Sequence, residues 1–213
     1  SIDLLTKGTY SHYDFLGAVE NFFSKCAPAM FMGWSNLNFD RRMFHFNFFK
    51  GNRYPYVTHS SPNQEHDGLH IARAAQTLDP ETLKTELTEA GNPSLALESL
   101  SRMQGFDTSA SHTAYVDAQN SLNVLRIIRD KHKENWQTFL KTSTKASVET
   151  ILKSDGIYSI FENVKGRNMM YLVSTLHPNQ CFHPSYASWG YLWDLRRDPE
   201  PLLNLSVNQL RDT

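Results

Sequence analysis

The sequence predicts an α/β domain followed by a β-rich segment, and three patterns carry this prediction. Apolar residues recur every three to four positions across residues 114–128, which is the spacing of a helix with one buried face. Residues 29–34 form a short, continuous apolar run, which is typical of a strand buried on both faces. Two further apolar runs, at 157–161 and 169–176, flank Gly166 and predict a β-hairpin.

The first elements of the chain lead to an acidic residue at a strand end. Residues 12–25 carry an apolar stripe at helical spacing, so we expect a helix packed on a core. The strand predicted at 29–34 is followed by a sharp turn that reaches Phe39 and Asp40. Asp40 therefore follows the end of a buried strand, where α/β sheets expose functional side chains.

The segment 41–56 interleaves aromatic rings with basic side chains. This mixture suits stacking on bases and contact with phosphate groups. Aromatic residues at this density also fill protein cores, and both interpretations stay open. Beyond this segment, the sequence predicts a loop at 58–66, a helix at 67–75, and a second short helix at 95–103 that Gly105 stops.

The long helix predicted after residue 111 carries two residues of chemical interest near its start. Ser111 is interpreted as the N-cap, which places His112 at the mouth of the helix and Asp117 about one and a half turns further in. The carboxylate can then hold a metal ion while the imidazole accepts a proton from a metal-bound water. A His-x-Ala-x-x-Asp pattern also occurs by chance in roughly a few per cent of such sequences, so its weight depends on the rest of the chain.

Composition and charge limit the class of protein. The chain has 213 residues, of which 40% are hydrophobic and 20% charged, and its net charge is -1. It can therefore bury a core, but phosphate binding must rely on local clusters or metal ions rather than on a broad basic surface. Cys26 and Cys181 lie far apart, so we expect reduced thiols in a cytoplasmic protein, and no apolar run reaches membrane length.

A change of pattern near residues 135–146 marks the predicted domain boundary. We assign an α/β domain to residues 1–135 and a β-rich domain to residues 146–213. Within the second domain, residues 186–195 predict a further aromatic-rich strand and residues 207–212 the start of a helix.

Four stretches together resemble the second and third motifs of the DEDDh 3′ to 5′ exonucleases. They are Gly-Trp-Ser-Asn-Leu-Asn-Phe-Asp at 33–40, Asp-Gly-Leu at 67–69, Ser-Leu-Ala-Leu-Glu-Ser-Leu at 94–100 and His-Thr-Ala-Tyr-Val-Asp at 112–117. Residues 177–179 and 201–205 resemble the start of the β-barrel domain that follows the nuclease domain in bacterial exonuclease I. The resemblance is strongest to that group and extends over nearly the whole chain.

The resemblance implies a ribonuclease H-like exonuclease fold followed by part of a small β-barrel domain. It also implies 3′ to 5′ degradation of single-stranded DNA with two Mg²⁺ ions, for which Mn²⁺ is able to substitute. Carried over by motif, Asp40 and Asp117 are metal ligands and His112 is the general base, a role that suits an imidazole with an unperturbed pKa of about 6.5. The expected nucleic-acid contacts are Asn36, Phe39, Arg41 and Arg42. We further expect a monomer with roles in DNA repair that associates with the single-stranded-DNA-binding protein.

The chain departs from the family in one respect. Family members carry an Asp-x-Glu pair on their first strand, and no such pair precedes Asp40 here. We therefore expect that the chain begins after that strand and ends within the barrel domain, so that as given it is a fragment or an inactive form. Two hypotheses follow: an exonuclease whose first strands lie outside this sequence, or a catalytically inactive nucleic-acid-binding module of the same fold.

Two alternatives stay open from the sequence. His177, Cys181 and His183 have a spacing that suits zinc ligands on a turn, although a closed structural site normally needs a fourth ligand. The motifs do not separate DNA from RNA, because stacking accepts any base and discrimination needs contacts to the 2′-hydroxyl. Five further histidines are interpreted as surface or core residues without function: His45, His59, His66, His70 and His132.

Overall fold

The structure is a computed structural model that describes residues 8, 10–109, 113–154, 156–175, 185–186, 190–206 and 208–209. It divides between Thr144 and Lys145 into two compact units, called here the first and the second unit. The assignment of a nuclease domain to 1–135 and a barrel-like domain to 146–213 stays a prediction.

Helices surround a short parallel strand pair in the first unit. The helices are α1 (His12–Cys26), α2 (Asp40–Lys50), α3 (Gly68–Leu78), α4 (Leu97–Gln104), α5 (Ala114–Lys131) and α6 (Lys133–Lys141). The strands β1 (Met30–Gly33) and β2 (Gln64–Asp67) pair in parallel, with Met30 opposite Gln64 and Gly33 opposite Asp67. This arrangement confirms the predicted α/β class.

Local sequence signals account for several helix ends. Ser11 caps α1 through its side chain, which accepts from the backbone N–H of Asp14, while the Asp14 carboxylate accepts in return from Ser11. Gly105 ends α4 with a positive φ of 78°, which glycine adopts without steric cost. The helices predicted at 12–25, 67–75 and 95–103 are therefore present with nearly the expected bounds.

The core of the first unit lies where α3, α4 and α5 meet. Ile71 on α3, Leu100 on α4, and Val124 and Ile128 on α5 are all fully buried. Each such side chain contributes about 1.5–3 kcal/mol relative to an exposed position. Within the described part of the chain, none of the helices is both long enough and apolar enough to span a membrane.

Two predictions about local structure in the first unit are wrong. Residues 58–66 were expected to form a loop, but Gln64 begins β2. The four residues of β2 are Gln-Glu-His-Asp, which offer no apolar pattern, so only pairing with β1 makes them a strand. Ser111 was expected to cap the long helix, but α5 begins at Ala114 with Thr113 at the N-cap position. Ser111 itself lies outside the described residues.

The strand predicted at 29–34 exists but is shorter and more exposed than expected. β1 comprises Met30–Gly33, and all four residues are half-buried rather than buried on both faces. The reason is that all four residues line a cleft, which leaves them partly accessible to solvent.

A three-stranded antiparallel sheet forms the centre of the second unit. Its elements are α7 (Lys145–Lys153), β3 (Ile157–Val164), β4 (Arg167–Thr175), β5 (Leu192–Asp194) and α8 (Glu200–Leu203), with sheet order β3-β4-β5. Lys165 and Gly166 link β3 to β4 with φ values of 50° and 82°, as a two-residue hairpin turn requires. The hairpin prediction is confirmed. Of the strand predicted at 186–195, the described residues contain Leu192–Asp194 as β5, and residues 187–189 lie outside the described part. The described strands do not close into a barrel, so the barrel-like domain stays a prediction.

Candidate active-site cleft

A cleft of about 1030 Å³ lies within the first unit. It is lined by β1, by the start of α2, and by one face of α5. Three carboxylates line it, those of Asp40, Glu65 and Asp117. The structure therefore brings together Asp40 and Asp117, the two acids that the sequence predicts as metal ligands, on different walls of one cleft.

The wall that carries Asp40 is a turn between β1 and α2. The backbone N–H of Ser35 donates to Asp67 Oδ1 at 2.8 Å, and that of Leu37 donates to Asp67 Oδ2 at 3.4 Å. The N–H of Arg41 donates to the carbonyl of Asn36 at 3.0 Å, which joins the turn to the first residues of α2. Asp40 begins α2, where the helix dipole favours a negative charge.

Close backbone approach also shapes this wall. A Cβ atom on Gly68 would lie 2.9 Å from the carbonyl oxygen of Gly33, and one on Gly33 would lie 2.8 Å from Asn36 Cβ. The indole N–H of Trp34 donates to the carbonyl of Leu95 at 3.1 Å, which ties the turn to the segment before α4. The turn is therefore fixed by contacts with residues far away in the sequence.

The wall that carries Asp117 is one face of α5. Asp117 lies in the first turn of this helix, and its N–H donates to the carbonyl of Thr113 at 3.0 Å. The α5 residues that line the cleft recur at helical spacing: Ala114, Asp117, Ala118, Ser121, Leu122, Leu125, Arg126 and Arg129. The helical period therefore directs Asp117 to the cleft.

Glu65, the third carboxylate of the cleft, was missed by the sequence analysis because it lies in the segment interpreted as a loop. It is 9% exposed, and its Oε2 has no hydrogen-bond partner within the described structure. Oε2 lies 4.0 Å from Arg41 Nη1 and 3.8 Å from His59 Nδ1. Burial raises the pKa of Glu65, Arg41 opposes this rise, and the charges of Asp67 and Asp40 add to it.

An aromatic cluster adjoins Glu65 on the side of His59. The rings of His45 and His59 have centroids 5.0 Å apart, and Tyr56 lies 5.1 Å from His45 and 5.4 Å from His59. Burial is the main cause that lowers the pKa of both histidines, and Arg41 lowers it further. Both imidazoles are therefore neutral near pH 7, so they add no positive charge beside Glu65.

The remaining predicted site residues are Asn36, Phe39, Arg41, Arg42 and His112. Asn36 is buried and lines the cleft, and Phe39, just before Asp40, is 66% exposed. Arg42 is exposed on α2, while Arg41 lies beside Glu65. His112 lies outside the described residues, so its position relative to Asp117 stays a prediction.

The zinc hypothesis stays a prediction for the same reason. His177, Cys181 and His183 also lie outside the described part of the chain.

The carboxylate oxygens of the cleft are the type of ligand that hard divalent cations prefer. Mg²⁺ is usually bound by one or two carboxylates together with waters and substrate phosphates, rather than by a cage of protein ligands. Asp40 and Asp117 supply two such carboxylates in one cleft. Among the residues described, no group of three or more His, Cys, Asp or Glu side chains is close enough to hold a metal ion by itself.

Comparison with known proteins relates this cleft to one group of nucleases. No protein-family model matches the sequence. The chain is 25% identical over 182 residues to the exodeoxyribonuclease I of Haemophilus influenzae, covering 84% of this chain and 38% of that protein. It is 26% identical over 218 residues to the exodeoxyribonuclease I of Buchnera aphidicola, covering 94% of this chain and 44% of that protein. The chain thus spans about two fifths of the length of these relatives.

Solved structures of exonuclease I share the fold. The moderately thermophilic exonuclease I of Methylocaldum szegediense superposes with a TM-score of 0.75 at 20% identity, over 95% of this chain and 43% of that chain. The Escherichia coli exonuclease I in complex with a dA16 oligonucleotide gives a TM-score of 0.73 at 20% identity, over 94% and 43%. An ExoI/SSB-Ct complex gives 0.72 at 19% identity, over 95% and 43%. In sequence and in fold the chain is therefore similar to exonuclease I, as its motifs predict.

Proposed function

We propose that this chain is the cleft-bearing part of a 3′ to 5′ exonuclease that degrades single-stranded DNA with divalent metal ions. One observation carries the proposal. Asp40 and Asp117, chosen from two separate sequence motifs, line the same cleft in a fold shared with exonuclease I.

The chemistry follows from the charge that builds up during phosphodiester hydrolysis. When bound, divalent cations supply stabilisation of the attacking and leaving oxygens of an in-line displacement. In this chain the carboxylates of Asp40 and Asp117 would hold those cations, with Mg²⁺ as the expected ion and Mn²⁺ as its substitute. The two carboxylates line the same cleft from two elements, α2 and α5.

His112 is proposed as the general base that takes a proton from the attacking water. It precedes Asp117 by five residues, just before the start of α5. A neutral imidazole near pH 7 is able to accept that proton.

The strand end is proposed to enter past the turn before α2. Asn36 would contact the terminal nucleotide from inside the cleft, and exposed Phe39 offers a ring for base stacking. Arg41 and Arg42 would contact backbone phosphates. The exonuclease I solved with SSB-Ct supports a similar partner for the whole protein, which we propose acts as a cytoplasmic monomer in DNA repair.

The test is Mg²⁺-dependent release of nucleotides from a 3′-labelled single strand. It is carried out with this chain and with a longer form that includes its native upstream sequence. His112→Ala, made in whichever form cuts, is expected to lower the rate at least about 100-fold, within the range of general acid-base catalysis. Asp117→Asn is expected to lower it at least as much, because it removes a proposed metal ligand. His70→Ala is the matched control, because His70 is an exposed histidine on α3 outside the cleft lining.

The second candidate function is a nucleic-acid-binding module without catalysis. The sequence feature behind it is that no Asp-x-Glu pair, which family members carry on their first strand, precedes Asp40. If both forms bind the labelled strand and neither releases nucleotides, the module is the correct description. If Asp117→Asn cuts as fast as the unmodified protein, our assignment of the cleft is wrong.

A further inference from the structure

Asp67 is a fully buried acid that holds the turn before Asp40. It is the last residue of β2 and 0% exposed. Three backbone N–H groups point at its carboxylate: that of Ser35 at 2.8 Å, that of Leu69 at 3.0 Å and that of Leu37 at 3.4 Å. Two of these three donors belong to the turn between β1 and α2, and the third belongs to α3.

Such burial is costly unless the carboxylate oxygens accept hydrogen bonds. Oδ1 accepts from both Ser35 and Leu69, so a single oxygen joins the turn to the start of α3. Oδ2 faces Leu37, two residues further along the same turn. Asp67 therefore links three segments that meet at one end of the β1–β2 pair.

The turn contains an unfavourable backbone conformation that contacts from outside the turn must stabilise. Ser35 has a φ of 58°, the left-handed region that residues other than glycine rarely adopt. The N–H of Ser35 is bonded to Asp67, which fixes the residue in this conformation. Five residues later, α2 begins with Asp40, so the direction in which Asp40 leaves the turn depends on this contact.

We propose that Asp67 is a positioning residue for the cation and strand-end site, because it holds residues 35–37 in the shape that presents Asp40 to the cleft. This inference rests on the proposed function for the role of Asp40. It adds a residue to which neither the motifs nor the cleft lining assigns a role. Asp67 acts through the turn and does not itself line the cleft.

A simpler role for Asp67 is to cap α3, and substitutions are able to separate the two roles. Asp67→Ser retains a favoured N-cap residue that accepts from the N–H groups of α3. Its hydroxyl is too short to reach Ser35 and Leu37 as well. Asp67→Asn retains the Oδ1 acceptor for Ser35 and Leu69 and replaces the oxygen that faces Leu37 with an amide donor.

Asn63 provides a matched control at the opposite end of the same strand pair. It is buried, its Oδ1 accepts from the N–H of Ala29 at 3.0 Å, and its Nδ2 donates to the carbonyl of Val57 at 2.8 Å. Asn63→Ala therefore removes buried hydrogen bonds to backbone groups of comparable kind. It does so away from the turn that leads to Asp40.

The experiment uses the 213-residue chain and two measurements. Amide hydrogen exchange at Ser35 and Leu37 reports whether the turn is held. Titration with Mn²⁺ alone, followed by broadening of the Arg41 amide signal, reports the affinity of the cation site beside Asp40.

We expect Asp67→Ser to speed exchange at both amides and to weaken Mn²⁺ binding by about 10- to 100-fold, the usual cost of losing a residue that orients a metal ligand. Asp67→Asn is expected to restore protection of Ser35 and part of the affinity. Asn63→Ala is expected to keep both amide exchange and Mn²⁺ affinity at their unmodified values, even if it lowers the unfolding midpoint as much as Asp67→Ser does.

Two results would overturn the proposal. One is unchanged Mn²⁺ affinity in Asp67→Ser despite faster exchange, which would leave Asp67 with the capping role alone. The other is an equal loss of affinity in Asn63→Ala. If the unmodified chain shows no Mn²⁺ effect at Arg41, the proposed function fails for this chain, and amide exchange alone decides whether Asp67 holds the turn.

Discussion

The two walls of the cleft place their acids by different means. Asp117 lies on α5, where the helical period directs it to the same face as Ala114, Ala118 and Ser121. Asp40 lies after a turn that hydrogen bonds from a distant strand hold in shape. One acid is therefore placed by local structure and core packing, and the other by contacts between residues about thirty positions apart.

This difference predicts which property a mutation in each wall will change. The α5 wall depends on buried apolar side chains, so weakening it lowers stability while the helix keeps its internal geometry. The turn wall depends on a few polar contacts and close backbone approaches. Damage there should change the position of Asp40 before it unfolds the chain.

The largest effect is expected from breaking the packing of α5. Ile128→Ala removes a fully buried side chain and should lower the free energy of unfolding by about 2–5 kcal/mol. Urea denaturation measures this loss. Leu122→Ala, on the same helix but 48% exposed, is the control and should cost much less. Equal losses in the two variants would contradict the view that α5 is held by its buried face.

The turn wall is tested by Gly68→Ala. The new Cβ would meet the carbonyl of Gly33 at 2.9 Å and Trp34 Cε3 at 3.2 Å, so backbone must move and about 1–3 kcal/mol of stability should be lost. The NMR chemical shifts of the backbone amides of residues 33–37 should also change in this variant.

Gly17→Ala is the matched control for this substitution. Its Cβ would meet the guanidinium of Arg53 at 2.7 Å, a side-chain end that is paired with Glu20, rather than backbone. Ala is also favoured over Gly inside α1, so a smaller loss than for Gly68→Ala is expected. If Gly68→Ala costs no more than Gly17→Ala, the close approach between β1 and α3 does not shape the turn.

The pH dependence of stability should report His66, which lies next to Asp67. Its Nδ1 accepts from the N–H of Asp67, so Nε2 carries the proton and donates to the carbonyl of Phe139 at 2.8 Å. Burial lowers the pKa of His66, and the bond to Phe139 opposes this only in part. Below about pH 6.5, His66 therefore binds a proton more readily in the unfolded chain than in the folded chain. The free energy of unfolding should then fall as pH falls through that value.

Comparison with His66→Gln isolates this contribution, because His45 and His59 also have lowered pKa values and act in the same direction. Unfolding free energies from pH 7.5 to 5.5 should fall less steeply in the variant than in the unmodified chain. Parallel curves would show that His66 does not titrate in this range.

The smallest effect is expected at Ser121, whose hydroxyl donates to the carbonyl of Asp117 at 2.7 Å within α5. Ser121→Ala should change stability by only about 0.5 kcal/mol, since the helix continues without this bond. Mn²⁺ affinity should stay at its unmodified value. A marked loss of affinity would mean that the Ser121 hydroxyl helps to place Asp117, and the contrast between the walls would be smaller than proposed.

Sequence reasoning succeeded where structure is local. The stripe at 12–25, the stop at Gly105 and the hairpin around Gly166 all depend on neighbours within a few residues, and all are present. The same holds for Asp67 as the start of α3, because an N-cap needs only the next two residues.

Strand β2 and the burial of Glu65 could not be predicted from the sequence, and the reason is shared. Gln-Glu-His-Asp has no strand pattern, and it becomes a strand because β1 offers a parallel edge. Glu65 reaches the cleft only through that pairing, and nothing in its neighbours in the sequence indicates burial.

The sequence by itself determined the helices α1, α3, α4 and α5 and the hairpin, because periodicity and turn chemistry act over a few residues. The resemblance to a known motif, rather than periodicity, singled out Asp40 and Asp117. The tertiary structure alone decided the register of β1 against β2, the burial of Glu65 and the reach of Asp67 to Ser35 and Leu37. These depend on closing a loop of about thirty residues, and the hydrogen bonds that reward this closure exist only once both ends have met.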